Sequence, residues 1–243
     1  MQNDLEFSWI PFREDIGIFG MKGSGKTSKA RDVLLQVPNL ARWIWSPQKP
    51  LENYKGFGEP VSKIEDLKHG AYLWVGDYSK KTFLKICARA TKYMRNLLFV
   101  VDDVHEQVTK QFIPEELDNL ISSGRNRGIS GIYISTTPAK VHSTILGSCS
   151  HIFGYQLNLV KHIEWFRDNY FGNEAWLLLP KDLRNKHYVS NEDPDQLPKY
   201  SFLYRKDSDT RTQIILSEPL ANAPDIDEGF EDEETEEETE EIE

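Results

Sequence analysis

The eight residues Gly20-Met21-Lys22-Gly23-Ser24-Gly25-Lys26-Thr27 restrict this chain more than any other stretch. They fit GxxxxGK[ST] in full, follow the apolar run Asp15 to Phe19, and open a segment of good helix formers with no early proline. A strand, a glycine-rich turn and a helix in that order turn successive backbone N–H groups toward one point, and the helix N-terminus adds its dipole there, so the natural occupant is a phosphate group. Gly20, Lys22, Gly23, Ser24 and Gly25 make the cradle. Lys26 is placed to reach the β and γ phosphates of a nucleotide, and the Thr27 hydroxyl to face a Mg²⁺ completed by phosphate oxygens and water. A glycine-rich turn that binds nothing is the plain alternative, and the full match in its strand-to-helix setting disfavours it.

Short apolar runs alternate with helical patterns along the chain, the order of a parallel sheet covered by helices. The pattern predicts strands at Asp15 to Phe19, Arg42 to Trp45, Ala71 to Val75, Leu97 to Val101, Gly131 to Ser135 and His151 to Gln156. It predicts helices at Thr27 to Gln36, Val61 to Lys68, Ser79 to Arg95, Glu115 to Ser122, Ala139 to Leu146 and Leu157 to Tyr170. Beyond Trp176 the runs Lys186 to Ser190, Tyr200 to Tyr204 and Thr212 to Leu216 read as a few terminal strands beside the main sheet. The fold class is therefore α/β, a P-loop NTPase fold with a mostly parallel sheet, helices on both faces and extra C-terminal strands. One domain spans 1–217, with its core at about 14–156 and its strand extension at about 176–217.

Leu97-Leu98-Phe99-Val100-Val101 leads into Asp102-Asp103. Carboxylates at the carboxyl end of a parallel strand lie on the ligand side of the sheet. Asp102 is assigned to Mg²⁺ and Asp103 to orienting or deprotonating an attacking water, with His105 and Glu106 on the next turn as lesser candidates for that water. Two adjacent carboxylates repel, and a divalent cation between them and the phosphates relieves this. Without the upstream loop the pair would read as a turn.

The net charge of −10 conceals two regions of opposite sign, because Asp225 to Glu243 holds 13 acids and no base and residues 1–224 carry a net +3. The acidic run cannot bury enough apolar surface to fold alone, so 218–243 reads as a disordered tail. Cys87 and Cys149 form no CxxC or Cys/His cluster and read as buried thiols. The chain start lacks the basic-then-apolar order of a secretory signal and no run approaches a membrane span, so the cytosol is the expected compartment.

At 100° per residue, Ser79 to Arg95 separates into two faces: Phe83, Ile86, Cys87, Ala90, Tyr93 and Met94 against Lys81, Lys85, Arg89, Lys92 and Arg95. Like charges four apart repel, so this uninterrupted basic row invites an anionic partner; nucleic-acid phosphates, another subunit's acids and plain solvation all remain open. The aromatic group Phe7, Trp9 and Phe12 reads as core or subunit interface rather than a base-stacking platform.

The loop, the Asp102-Asp103 strand end and the stretch Ser122-Ser123-Gly124-Arg125-Asn126-Arg127-Gly128, continuing through Ser135-Thr136-Thr137-Pro138-Ala139-Lys140-Val141-His142, together resemble the FtsK-HerA superfamily over about 14–156. Members are ring-forming ATPases that pump DNA, and a small single-domain chain looks most like the genome-packaging ATPases of icosahedral viruses with internal membranes. The resemblance implies ATP and Mg²⁺ as ligands, double-stranded DNA as cargo, and self-association into a ring. It also implies a place in the host cytoplasm or at a packaging vertex, with capsid vertex or viral membrane proteins as docking partners. It puts Arg125 and Arg127 where the family supplies an arginine finger to the neighbouring subunit. The family's sensor glutamine is matched by Thr136, a departure, since a hydroxyl reaches less far than a carboxamide. A small-substrate phosphotransferase, a cellular HerA-like DNA-processing ATPase and a nucleotide-binding adaptor are the competing readings. The first lacks an arginine-rich lid segment, and the intact acids at 102 and 103 argue against the last.

Overall fold

A computed structural model of the chain describes residues 9–180, 197, 200–207 and 211–216. The strands are β1 (Asp15–Phe19), β2 (Arg42–Trp45), β3 (Glu59–Val61), β4 (Ala71–Trp74), β5 (Leu97–Val101), β6 (Ile129–Ser135), β7 (Cys149–Tyr155), β8 (Phe202–Lys206) and β9 (Gln213–Ile215). The helices are α1 (Lys26–Leu35), α2 (Pro50–Asn53), α3 (Lys80–Tyr93), α4 (Glu115–Gly124), α5 (Ser143–Ser148) and α6 (Val160–Phe166). The nine strands of the described residues join one sheet in the order β3-β4-β2-β5-β6-β1-β7-β8-β9, parallel from β3 to β7, with β8 and β9 added antiparallel.

Period-two alternation sends the side chains of the central strands into two cores. Leu97, Phe99 and Val101 of β5, with Trp43 and Trp45 of β2, meet residues of α3, α4 and α6 on one face. Leu98, Val100 and Ile44 meet Ala30, Val33 and Leu34 of α1 on the other, together with Ile16 and Ile18. Both faces of these strands are buried, which is why they read as continuous apolar runs rather than alternating ones. Phe83 of α3 meets the Trp45 ring edge-on at a centroid distance of 5.1 Å. Gly17 of β1 leaves room for a ring, since a Cβ there would stand 2.6 Å from Phe19 Cε2.

The predicted strands and most helices lie where the pattern put them, with three corrections. Val61 to Lys68 is not a helix: Glu59–Val61 is strand β3, paired with β4, and only Ile64–Asp66 makes a short 3₁₀ turn. The apolar residues Val61, Ile64 and Leu67 mimic a helical stripe, but an outermost strand accepts Pro60, which cannot donate to a ladder. Ala139 to Leu146 divides into a 3₁₀ turn, Pro138–Lys140, and α5, because Val141 and His142 are extended and the His142 ring caps α5 by accepting from Thr144 N–H at 3.2 Å. Leu157 to Tyr170 begins only at Val160 and ends in a π-helical turn, Arg167–Phe171. The strand expected at Lys186 to Ser190, the tail 218–243 and Phe7 lie outside the described residues. Trp9 is buried in the α1-side core and donates its ring N–H to Glu14 O at 2.8 Å, in keeping with the core reading of that residue, while Phe12 is half-buried. Cys87 and Cys149 are buried free thiols. Among the described residues no helix is long and apolar enough to cross a membrane.

Candidate functional site

Three strand ends build the site. Because β6 lies between β5 and β1, the loop after β1, Ser135-Thr136 at the end of β6, and Asp102-Asp103 after β5 sit side by side at the carboxyl edge of the sheet. The loop is anchored to both flanking strands, as Gly20 N–H donates to Ser135 O at 3.2 Å and Met21 N–H to Gln156 O at 2.7 Å. Gly23 (φ 76°) and Gly25 (φ 101°) adopt left-handed backbone, which a side chain would strain. Gly20 is fixed by space instead, since a Cβ there would meet Tyr155 Cβ at 2.5 Å.

Lys26 opens α1, buried, with Nζ donating to Met21 O at 2.8 Å. Burial holds its ammonium below the ordinary value, and the charges of Asp102 and Asp103 pull it back up, so the three groups share one electrostatic neighbourhood. Asp102 is buried. Its carboxyl is pushed up to about 6, first by desolvation and then by the charge of Asp103. Its Oδ2 accepts from Ser46 Oγ at 3.2 Å and from Tyr54 OH at 3.5 Å, and its Oδ1 from Asp103 N–H at 3.1 Å. Asp103 stands at φ 54°, a left-handed conformation that aspartate tolerates better than most residues, and there the chain leaves β5 for the turn Val104–Glu106. Thr27 is half-buried and Lys22 exposed. Ser24 Oγ is buried and has no hydrogen-bond partner among the described residues.

Thr136 is half-buried beside this group, with Oγ1 3.4 Å from His105 Nε2, while Ser135 Oγ stands 3.0 Å from His105 Nδ1. Burial keeps the imidazole below its ordinary value, so the ring is neutral at pH 7. Glu106 is exposed. Sequence reasoning missed Ser46 and Tyr54, both held against Asp102. Ser46 directly follows β2, and only the pairing of β2 with β5 brings it there, a neighbourhood that no local motif reports.

Arg125 and Arg127 are not brought to this group. They form the turn before β6, at the opposite end of a seven-residue strand, about 23 Å away along the backbone. The two also differ from each other. Arg125 is exposed and donates from Nε to Arg13 O at 3.2 Å. Arg127 is half-buried and donates from Nε to Met94 O at 3.1 Å and from Nη2 to Lys92 O at 3.1 Å, satisfying carbonyls at the C-terminus of α3. Arg127→Ala is therefore expected to lower unfolding free energy by about 1–2 kcal/mol, read as a drop in denaturant midpoint at unchanged slope.

The basic row of α3 is partly broken. Lys81, Lys85 and Lys92 are exposed; Arg95 is exposed too but lies beyond the end of α3, where Met94 is already extended, and Arg89 is half-buried, donating from Nε to Leu67 O at 3.0 Å and from Nη2 to Glu65 O at 3.2 Å. Beside it, at the amino ends of β4 and β5, a cleft of about 520 Å³ is lined by Lys68, His69, Arg89, Tyr93 and Arg95. That cleft lies a strand length from Lys26 and Asp102.

No protein-family model matches the chain, and no curated protein matches its sequence. Solved structures do match. The genome-packaging NTPase B204 of Sulfolobus turreted icosahedral virus 2, in complex with sulfate, superposes with a TM-score of 0.67 at 15% identity, over 85% of this chain and 97% of that one. The same NTPase in complex with ATP-γS gives 0.64 at 15% identity over 85% and 98%. B204 of Sulfolobus turreted icosahedral virus, a DNA-packaging ATPase, gives 0.64 at 17% identity over 84% and 97%. The chain has the fold of these packaging NTPases, a P-loop NTPase fold, which is the fold that the resemblance to the FtsK-HerA superfamily implies.

Proposed function

We propose that this chain hydrolyses ATP with Mg²⁺ to move double-stranded DNA, working as a ring that packages a viral genome. The observation that carries the reading is the meeting of Lys26 with Asp102 and Asp103 at the carboxyl ends of β1 and β5. The residues fit the ligands. The unsatisfied Ser24 hydroxyl and the first-turn N–H groups of α1, which begins without a side-chain cap, suit a triphosphate. A buried carboxylate at Asp102, held by Ser46 and Tyr54, and a Thr27 hydroxyl in the first turn of α1 suit Mg²⁺, which would supply charge neutralisation to the phosphates when bound.

In this reading Lys26 leaves Met21 O for the phosphates, and Ser46 and Tyr54 fix Asp102. Asp103 orients a water for attack and accepts its proton. Arg125 serves the site of the next subunit, because about 23 Å of β6 separates it from its own. The similarity to packaging NTPases, among them a DNA-packaging ATPase, supports DNA as cargo. DNA phosphates are met by Lys81, Lys85, Lys92 and Arg95, with Arg89 committed to backbone carbonyls.

The test measures ATP turnover with and without linear duplex across a salt series. Turnover rises with DNA, and Lys81→Ser, Lys85→Ser and Lys92→Ser combined flatten the slope of log K for DNA against log salt by about 0.9 per lost contact, without changing sequence preference. Turnover indifferent to DNA would remove the translocase from the reading, and an unchanged slope would move the DNA contact away from α3.

A further inference from the structure

The His105 ring stands between two strand ends. It belongs to the turn that follows Asp103, yet both of its nitrogens meet the end of β6, Nδ1 at 3.0 Å from Ser135 Oγ and Nε2 at 3.4 Å from Thr136 Oγ1. Ser135 Oγ already accepts Thr137 N–H at 3.0 Å, so its own hydrogen is free to go to Nδ1. In a neutral ring one nitrogen donates and the other accepts, so in either tautomer the imidazole links the Ser135 and Thr136 hydroxyls. The ring also feels the charges of Asp103, Lys140 and Lys26.

The reach of this bridge is set by β6. All seven residues of that strand are buried, it is paired with β5 on one side and β1 on the other, and the Arg125–Arg127 turn precedes it. Thr136 and the Arg125–Arg127 turn thus stand at the two ends of one buried strand that is paired on both sides.

We propose that His105 is a positioning residue which ties the Asp103 strand end to β6 through Ser135 and Thr136, so that the state of one nucleotide site is passed to the strand carrying the arginine offered to the next. The inference rests on the ATPase reading. It assigns to an imidazole on the β5 turn the contact that Thr136, with its short reach, cannot make alone.

The experiment is steady-state ATP turnover by the full chain as His105→Ala, His105→Gln, Thr136→Val and the His105→Ala, Thr136→Val double variant, with melting temperature and nucleotide affinity measured on each. His105→Ala is expected to lower kcat tenfold or more while KM for ATP stays within about threefold. His105→Gln, which keeps a donor and an acceptor, returns most of the rate. The double variant is no slower than His105→Ala alone, because both changes break one connection. Should His105→Ala fail to fold, the His105→Gln and Thr136→Val rates carry the comparison. A purely structural histidine would lower the melting temperature while leaving kcat per folded molecule unchanged, which overturns the inference. Additive losses in the double variant overturn it as well. If the unaltered chain turns over no ATP, the ATPase reading fails and the inference with it, whereas normal turnover by both the unaltered chain and His105→Ala defeats the inference alone.

Discussion

Asp103→Asn is expected to bind ATP normally and to hydrolyse it at least about a hundredfold more slowly. An amide of the same size keeps the left-handed turn at the end of β5 but cannot accept a proton, and general-base action contributes about 10² to 10⁴ in rate. Lys26→Ala is expected to fail one step earlier. Without the ammonium the β and γ phosphates lose their nearest positive charge, so nucleotide affinity falls at least about tenfold, ~1.4 kcal/mol. The same change leaves Asp102 and Asp103 without their buried cation, which pushes the Asp102 carboxyl still higher than about 6. Fluorescent-nucleotide titration and single-turnover hydrolysis separate the two variants. Full turnover by Asp103→Asn removes this residue from proton transfer and makes Glu106, exposed on the following turn, the next to test.

The second large effect lies at the far end of β6. Arg125→Ala is expected to reduce turnover by about a thousandfold, the lower range for an arginine finger, with nucleotide affinity and melting temperature nearly unchanged, since the side chain is exposed and its described bond is one to Arg13 O. Mixing gives a stringent test. Arg125→Ala subunits retain a complete phosphate loop, and Lys26→Ala subunits retain the arginine, so two inactive proteins combined should recover part of the activity at shared interfaces. A mixture that stays inactive, beside an Arg125→Ala protein that is itself inactive, would place the arginine's action within its own subunit or in folding.

The strands and the loop were legible because their signals are local. β1, β2 and β5 are apolar runs with the bounds that the sequence predicts, and the turn after β1 carries its own glycines. Most of what surrounds Asp102 was not legible. Ser46 and Tyr54 reach Asp102 only because β2 lies beside β5, and strand order is decided by long-range packing rather than by any window of sequence. The arginines show the same limit from another side. Local sequence puts both on equal terms, but Met94 O and Lys92 O claim Arg127, and those carbonyls are orphans only because α3 ends where it does. Arg89 fits the periodicity of a basic stripe and is nonetheless drawn to Leu67 O and Glu65 O, in the segment where the sequence predicts helix and the chain instead turns.

Pro60 bears on how copies of this protein can meet. Val61 O accepts from Val75 N–H, so in strand β3 the odd-numbered backbone groups face inward and those of residue 60 face outward. The outward position is held by the one residue type with no N–H, and Glu59 next to it is exposed and acidic. That margin of the sheet therefore resists zippering to a neighbouring chain, and the opposite margin among the described residues, β9, offers three residues. Subunits joined through strand tips and helix surfaces would carry load lengthwise, through covalent backbone, instead of sideways across hydrogen bonds. Such a subunit would behave as a rigid spoke, in which a push at one tip arrives at the other with little lost to shear between strands.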